Sequence, residues 1–83
     1  KALLYPNPVS NLTELQYVLE EDDVISIAVY DAKYQLVQSV VNAQTRLEGQ
    51  YAQSLDLSSL TPGLYFVSVE GGSINETVKV IKK

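Results

Sequence analysis

The sequence has 83 residues with six basic and ten acidic side chains, a net charge of −4, and neither cysteine nor histidine. That length holds one domain whose folding buries somewhat more than about 60% of the extended surface, and the negative balance without a basic stripe argues against a nucleic-acid partner. Lacking thiols and imidazoles, the chain has no disulfide framework, no thiolate metal site and not the commonest acid–base group, and no apolar run approaches the roughly 18 residues of a membrane span. Its apolar content is 46%, drawn from Val, Leu, Ile and Tyr without Met or Trp, which suits a sheet core. The chain opens on Lys1 rather than methionine and carries no signal peptide, so residues 1–83 are expected to be a single domain excised from a longer precursor.

Ala2-Leu3-Leu4-Tyr5 is a short apolar run that meets Pro6-Asn7-Pro8. Each proline extends its predecessor and removes a ladder donor, which predicts an edge strand leading into a segment that crosses between sheets or opens the domain. Asn11-Leu12-Thr13 and Asn75-Glu76-Thr77 match a glycosylation triplet but are more simply turn and strand residues. From Thr13 to Glu20 the pattern alternates, with Leu15, Tyr17 and Leu19 on one face of a strand. Glu20-Glu21-Asp22-Asp23 then reads as a solvated hairpin, because four adjacent acids lack the alternate spacing and the glycine of a calcium loop.

Val24 to Tyr30 is expected to be a central strand, with Ile25, Ile27 and Val29 facing inward. Asp31 begins a turn by accepting from backbone two residues on, and Tyr34 is strained if its φ must be positive. Leu36 to Val41 forms a further strand, Asn42 to Gln50 is the longest polar stretch with Gly49 as its sharp point, and Tyr51 to Leu57 returns as a strand.

Asp56-Leu57-Ser58-Ser59-Leu60-Thr61-Pro62-Gly63-Leu64-Tyr65 is a corner between two strands. Pro62 and Gly63 suit the central positions of a type II turn, with Gly63 supplying the positive φ. Leu60 plugs the turn, and Tyr65 returns its hydroxyl to the corner backbone as tyrosine corners do in Ig-like sandwiches. Leu64 to Glu70 carries Tyr65, Val67 and Val69 on one face, Gly71-Gly72-Ser73 turns tightly, and Ile74 to Ile81 closes the domain with Ile74, Val78 and Val80 facing one way. The sum is an all-β, Ig-like sandwich of about seven mainly antiparallel strands.

Nothing in the spacing assembles a catalytic group. Ser58 and Ser59 with Lys79, or Asp31 with Asp56, are the remaining acid–base or nucleophile pairs, and each residue has a simpler role in a turn or strand. No cofactor is implied.

Tyr5-Pro6-Asn7-Pro8-Val9, Ile25 to Asp31, the corner with its Asp56-Leu57-Ser58-x-Leu60 lead, and Lys79-Val80-Ile81-Lys82-Lys83 occur in an order that resembles the C-terminal sorting domain of type IX secretion cargo. Tyr34 stands where that pattern usually has glycine, so a differently shaped hairpin is expected there. The resemblance implies an N-terminal cargo protein, transit through the periplasm of a Gram-negative bacterium, and recognition by an outer-membrane translocon. It also implies removal by a surface sortase at or before Lys1, with the cargo joined to lipopolysaccharide. It points to Pro62, Gly63, Tyr65, Lys79, Lys82 and Lys83 as candidate recognition residues, although the turn and corner explain Gly63 and Tyr65 without a partner. The lysines serve equally to discourage edge pairing, and an edge-strand dimer through the first or last strand is a further expectation. The alternative is an accessory module like fibronectin type III or a carbohydrate-binding domain, with Tyr30, Tyr34 and Tyr51 as its exposed aromatics.

Overall fold

The alternating apolar positions fold as their period of two requires. The computed structural model describes residues 1–83 and contains seven strands and no helix. They are β1 (Leu3–Tyr5), β2 (Leu12–Leu19), β3 (Asp23–Asp31), β4 (Leu36–Arg46), β5 (Gly49–Asp56), β6 (Gly63–Glu70) and β7 (Asn75–Lys82). One sheet has the order β1-β2-β5 and the other β4-β3-β6-β7, all strand neighbours being antiparallel. This is an Ig-like sandwich, and β3 lies inside its sheet as expected. Ile25, Ile27 and Val29 of β3 with Val67 and Val69 of β6 pack against Leu15, Tyr17, Leu19 and Leu55 of the smaller sheet. Each such aliphatic side chain, fully buried, contributes about 1.5–3 kcal/mol.

The polar stretch from Asn42 is strand rather than loop. β4 continues to Arg46 and the chain changes sheet only across Leu47 and Glu48, with Gly49 opening β5. β4 is an edge strand, and its side chains from Asn42 to Thr45 are exposed on both faces, so polarity there carries no information about backbone pairing. A bulge marks the same region: Ala43 has φ 51°, and its N–H donates to Ser26 Oγ at 2.9 Å.

The β3–β4 turn depends on an aspartate acceptor. Asp31 Oδ1 accepts from the Lys33 and Gln35 amides, both at 2.9 Å, and the turn places Tyr34 at φ 62°. A left-handed non-glycine residue costs about 1–2 kcal/mol. Tyr34 offsets part of that by stacking on Phe66 at 4.6 Å between centroids, worth about 0.5–1.5 kcal/mol.

The acidic run is not the solvated hairpin expected, because β2 and β3 belong to different sheets and the run carries the chain from one to the other. Asp22 Oδ1 accepts from the Glu48 amide at 2.9 Å, which ties the β2–β3 turn to the sheet crossing. Asp23 clasps the β6–β7 turn: its carboxylate accepts from the Ser73 hydroxyl at 2.6 Å, the Ser73 amide at 2.8 Å and the Gly72 amide at 2.9 Å. A Cβ on Gly71 would lie 2.8 Å from Asp23 Oδ2, so glycine lets the turn close over that carboxylate.

Bonding from the Ser73 hydroxyl and then from the Ser73 and Gly72 amides lowers the Asp23 carboxyl to about 2. The unfolded chain then binds the extra proton first, so stability rises with pH through this window. The contribution is complete above the ordinary carboxyl range near pH 4 and is lost as pH falls toward 2. Melting temperatures at pH 6 and pH 2.5 should therefore differ less in Asp23→Ala than in the unaltered chain.

Candidate functional site

The corner forms one wall of the site. Asp56 Oδ1 accepts from the Ser58 amide at 3.0 Å, and bonding from the Ser58 hydroxyl and then from this amide holds its carboxyl below the usual range. Capping by Asp56 starts the turn early: Leu60 N–H donates to Leu57 C=O at 3.0 Å, so the hydrogen-bonded turn is Leu57-Ser58-Ser59-Leu60. The type II turn expected at Pro62-Gly63 does not form. Gly63 does take a positive φ, but at 153° it lies well beyond the value near +80° of that turn, and the residue opens β6. Leu60 packs partly buried against the core as a plug. Tyr65 is buried, and its hydroxyl donates to Thr61 C=O at 2.7 Å, which is the tyrosine corner.

Facing the corner is the Asp31–Gln35 turn. Between them lies an open groove of about 340 Å³, lined by Pro62, Gly63 and Tyr65 on one side and Asp31, Lys33 and Gln35 on the other. The register pairs Gly63 with Lys82, so the last strand ends beside the same corner.

The tail is held by the segment that follows β1. Pro6 and Pro8 cannot donate, and the Asn7 side chain takes the place of a backbone unit: its Nδ2 donates to Lys79 C=O at 2.9 Å and its Oδ1 accepts from Ile81 N–H at 3.1 Å. Val9 continues the pairing, donating to Ile81 C=O and accepting from Lys83 N–H, both at 2.8 Å. Val9 is completely buried, and Thr13 Oγ1 anchors the strap by donating to Pro6 C=O at 2.8 Å. The strap thus crosses from the smaller sheet to the larger, while Tyr5 at the end of β1 stays 73% exposed.

This arrangement separates the three tail lysines. Lys79 and Lys83 are exposed. Lys82 alternates inward with Val78 and Val80, is only 8% exposed, and donates its ammonium to Lys83 C=O at 3.2 Å. Its aliphatic stem closes the end of the core, so it does not present charge as the tail lysines were expected to do. The strap also occupies the outer edge of β7 from Lys79 to Lys83, which removes that stretch as a dimer edge. The covered edge was encoded in Asn7, a side-chain amide between two prolines that offers one donor and one acceptor where the backbone lacks donors, and the buried lysine in the parity of the strand.

Charge is distributed unevenly along the 35 Å long axis. Glu20, Glu21, Asp22, Asp23, Glu48 and Glu70 gather where β2, β4 and β6 end, against Lys1 and Arg46, whereas Lys33, Lys79, Lys82 and Lys83 lie at the other end with the corner and the strap, against Asp31 and Asp56. The remaining acid–base pairs are dispersed: Asp31 and Asp56 belong to different sheets, each bonded within its own turn, and Lys79 lies on the outer face of β7 rather than beside Ser58. Tyr51 turns inward to stack on Tyr17 at 5.4 Å, so it does not share a face with Tyr30 and Tyr34.

Fold and site together define a small Ig-like module whose two ends are tied by its own strap. The family model for the secretion system C-terminal sorting domain matches residues 3–83, from the first strand through the tail, and the chain belongs to that family. It is a type IX secretion sorting domain, a targeting signal carried by an N-terminal cargo and exported with it to the cell surface or medium of a Gram-negative bacterium. Among curated proteins none matches the chain.

Replacing Asn7 by alanine should remove both side-chain bonds to β7 and lower the unfolding free energy by about 1–2 kcal/mol, each exchanged hydrogen bond being worth about 0.5–1.5 kcal/mol. Urea titration followed by far-ultraviolet circular dichroism measures it, and an unchanged midpoint would assign the tail's order to Val9 alone.

Proposed function

We propose that this domain brings its cargo, after periplasmic transit, to the type IX outer-membrane translocon, and that recognition uses the folded end carrying Pro62, Gly63, Tyr65, Lys79 and Lys83. Lys82 serves there as a positioning residue, closing the core beneath the tail. A surface sortase then cuts at or before Lys1, and the cargo is joined to lipopolysaccharide. The observation that supports the reading best is the family match over residues 3–83, because it includes the corner, the strap and the last strand, the three elements that meet at this end.

Physical reasons favour a folded surface over a loose peptide. Ile81 and Lys83 are engaged by the strap, and Val80 is buried without exposure, so residues 79–83 cannot be withdrawn without opening the core. Lys79 and Lys83 keep their ammonium groups in water beside the corner, where attraction to a partner is not diminished by burial.

A fluorescent protein with a signal for the periplasm, fused ahead of residues 1–83, should reach the surface or medium of a bacterium that carries the type IX machinery. It should remain in the periplasm of the same bacterium lacking the translocon. Retention in both strains would overturn the address reading.

A further inference from the structure

The outer face of the larger sheet carries an apolar patch that neither the core nor the corner uses. Leu36, Tyr30, Phe66 and Lys79 form one row across β4, β3, β6 and β7, and Leu64 pairs with Ile81 in the row above. Tyr34 folds back over this face, stacked on Phe66 and 6.2 Å from Tyr30. Tyr34 is 60%, Leu36 59% and Ile81 43% exposed. Toward the acidic end the same face becomes mostly small and polar, with Ala28 beside Ser68 and Thr77, then Ser26 beside Glu70 and Asn75, and Val24 as a single exposed apolar side chain beyond them. Apolar surface is therefore concentrated at the basic end, as at a docking site.

Charge identifies the chemistry of the occupant. Lys33 in the β3–β4 turn and Lys79 and Lys83 along the tail flank the patch, all three exposed. Asp31, the carboxylate of the same turn, already accepts from two backbone amides. In a chain of net charge −4 this end is thus cationic around an apolar centre, which complements an apolar surface rimmed by carboxylates. The shape favours polypeptide over sugar. Phe66 has one ring face covered by Tyr34, Tyr30 is tilted 39° from Tyr34, and Leu36, Leu64 and Ile81 interrupt the rings, so no run of coplanar aromatics is available to a saccharide chain. The left-handed backbone of Tyr34 adds a separate mark: a strained non-glycine residue whose ring is held exposed over the face points to use of that ring in this chain.

We propose that this patch docks a protein of the export machinery through an apolar surface rimmed by aspartate and glutamate, with Tyr34 and Leu36 as apolar anchors and Lys33, Lys79 and Lys83 as steering charges. The proposal rests on the address reading and specifies the surface that carries it.

The test compares Tyr34→Asn, Leu36→Ser and Lys79→Glu in the reporter fusion, with Thr45→Glu, which adds a negative charge at the other end of the same sheet, as control. All four positions are exposed, and asparagine tolerates the positive φ at position 34, so circular dichroism should show each fusion folded. Loss of an interface anchor commonly weakens binding by tenfold or more, so surface reporter should fall about tenfold in the three variants and stay unchanged in Thr45→Glu. In parallel, the purified domain should sediment with outer-membrane vesicles from the exporting strain and not with protein-free vesicles of the extracted lipid and lipopolysaccharide. Undiminished export of the three folded variants, or equal binding to protein-free vesicles, overturns the proposal while leaving the address reading intact. Failure of the unaltered fusion to leave the periplasm removes the address reading itself.

Discussion

The last strand is held at its outer edge by a segment that is nearly incapable of strand pairing. An unpaired sheet edge exposes alternating N–H and C=O groups to any passing strand, and two prolines close together would ordinarily leave such an edge uncovered. Asn7 resolves this by presenting an amide from its side chain, after which Val9 resumes with backbone. The two Asn7 bonds span 72 and 74 residues, so they join the start of the domain to its end. A tail tied in this way is ordered only in the context of the complete sandwich, and its lysines acquire fixed positions relative to the corner.

That constraint shapes the functional end. Because β7 is fixed, Gly63 and Lys82 stay in register, the groove between the corner and the Asp31–Gln35 turn keeps its walls, and Lys79 stays in the row with Phe66 and Tyr30. Alternation then sorts the lysines without further design: inward Lys82 seals the core, and outward Lys79 remains free to meet a partner. The other end of the molecule is built on the opposite charge, with Asp22 and Asp23 used as acceptors for neighbouring loops. An elongated body with acidic and basic ends has a preferred orientation in any electrostatic encounter, and here the basic end is the one that carries the apolar patch.

Strand alternation was legible because each strand buries one face, as Leu15, Tyr17 and Leu19 or Ile25, Ile27 and Val29 do; the tyrosine corner was legible because Tyr65 follows a turn-forming run. Errors arose where an edge or a side chain acted as backbone. β4 lies open on both faces after Val41, so its polar residues resembled a loop. Asp56 capped a turn earlier than Pro62-Gly63 suggested. The Asp23 clasp and the Asn7 pairing join residues about 50 and 70 positions apart, and no local pattern records such a partner. Lys82 looked like its neighbours until the strand's parity turned it inward, and the patch around Tyr34 required the fold to bring three separate segments onto one face.

Amide hydrogen exchange of the isolated domain tests the central point most directly, that the tail is a clasped part of the fold. Ile81 and Lys83 amides should be protected along with the strap's Val9, and their protection should be lost together when the strap opens. Exchange of Ile81 and Lys83 at the rate of an unstructured peptide, while Val67 in the core remains protected, would contradict the account and make the tail a free signal.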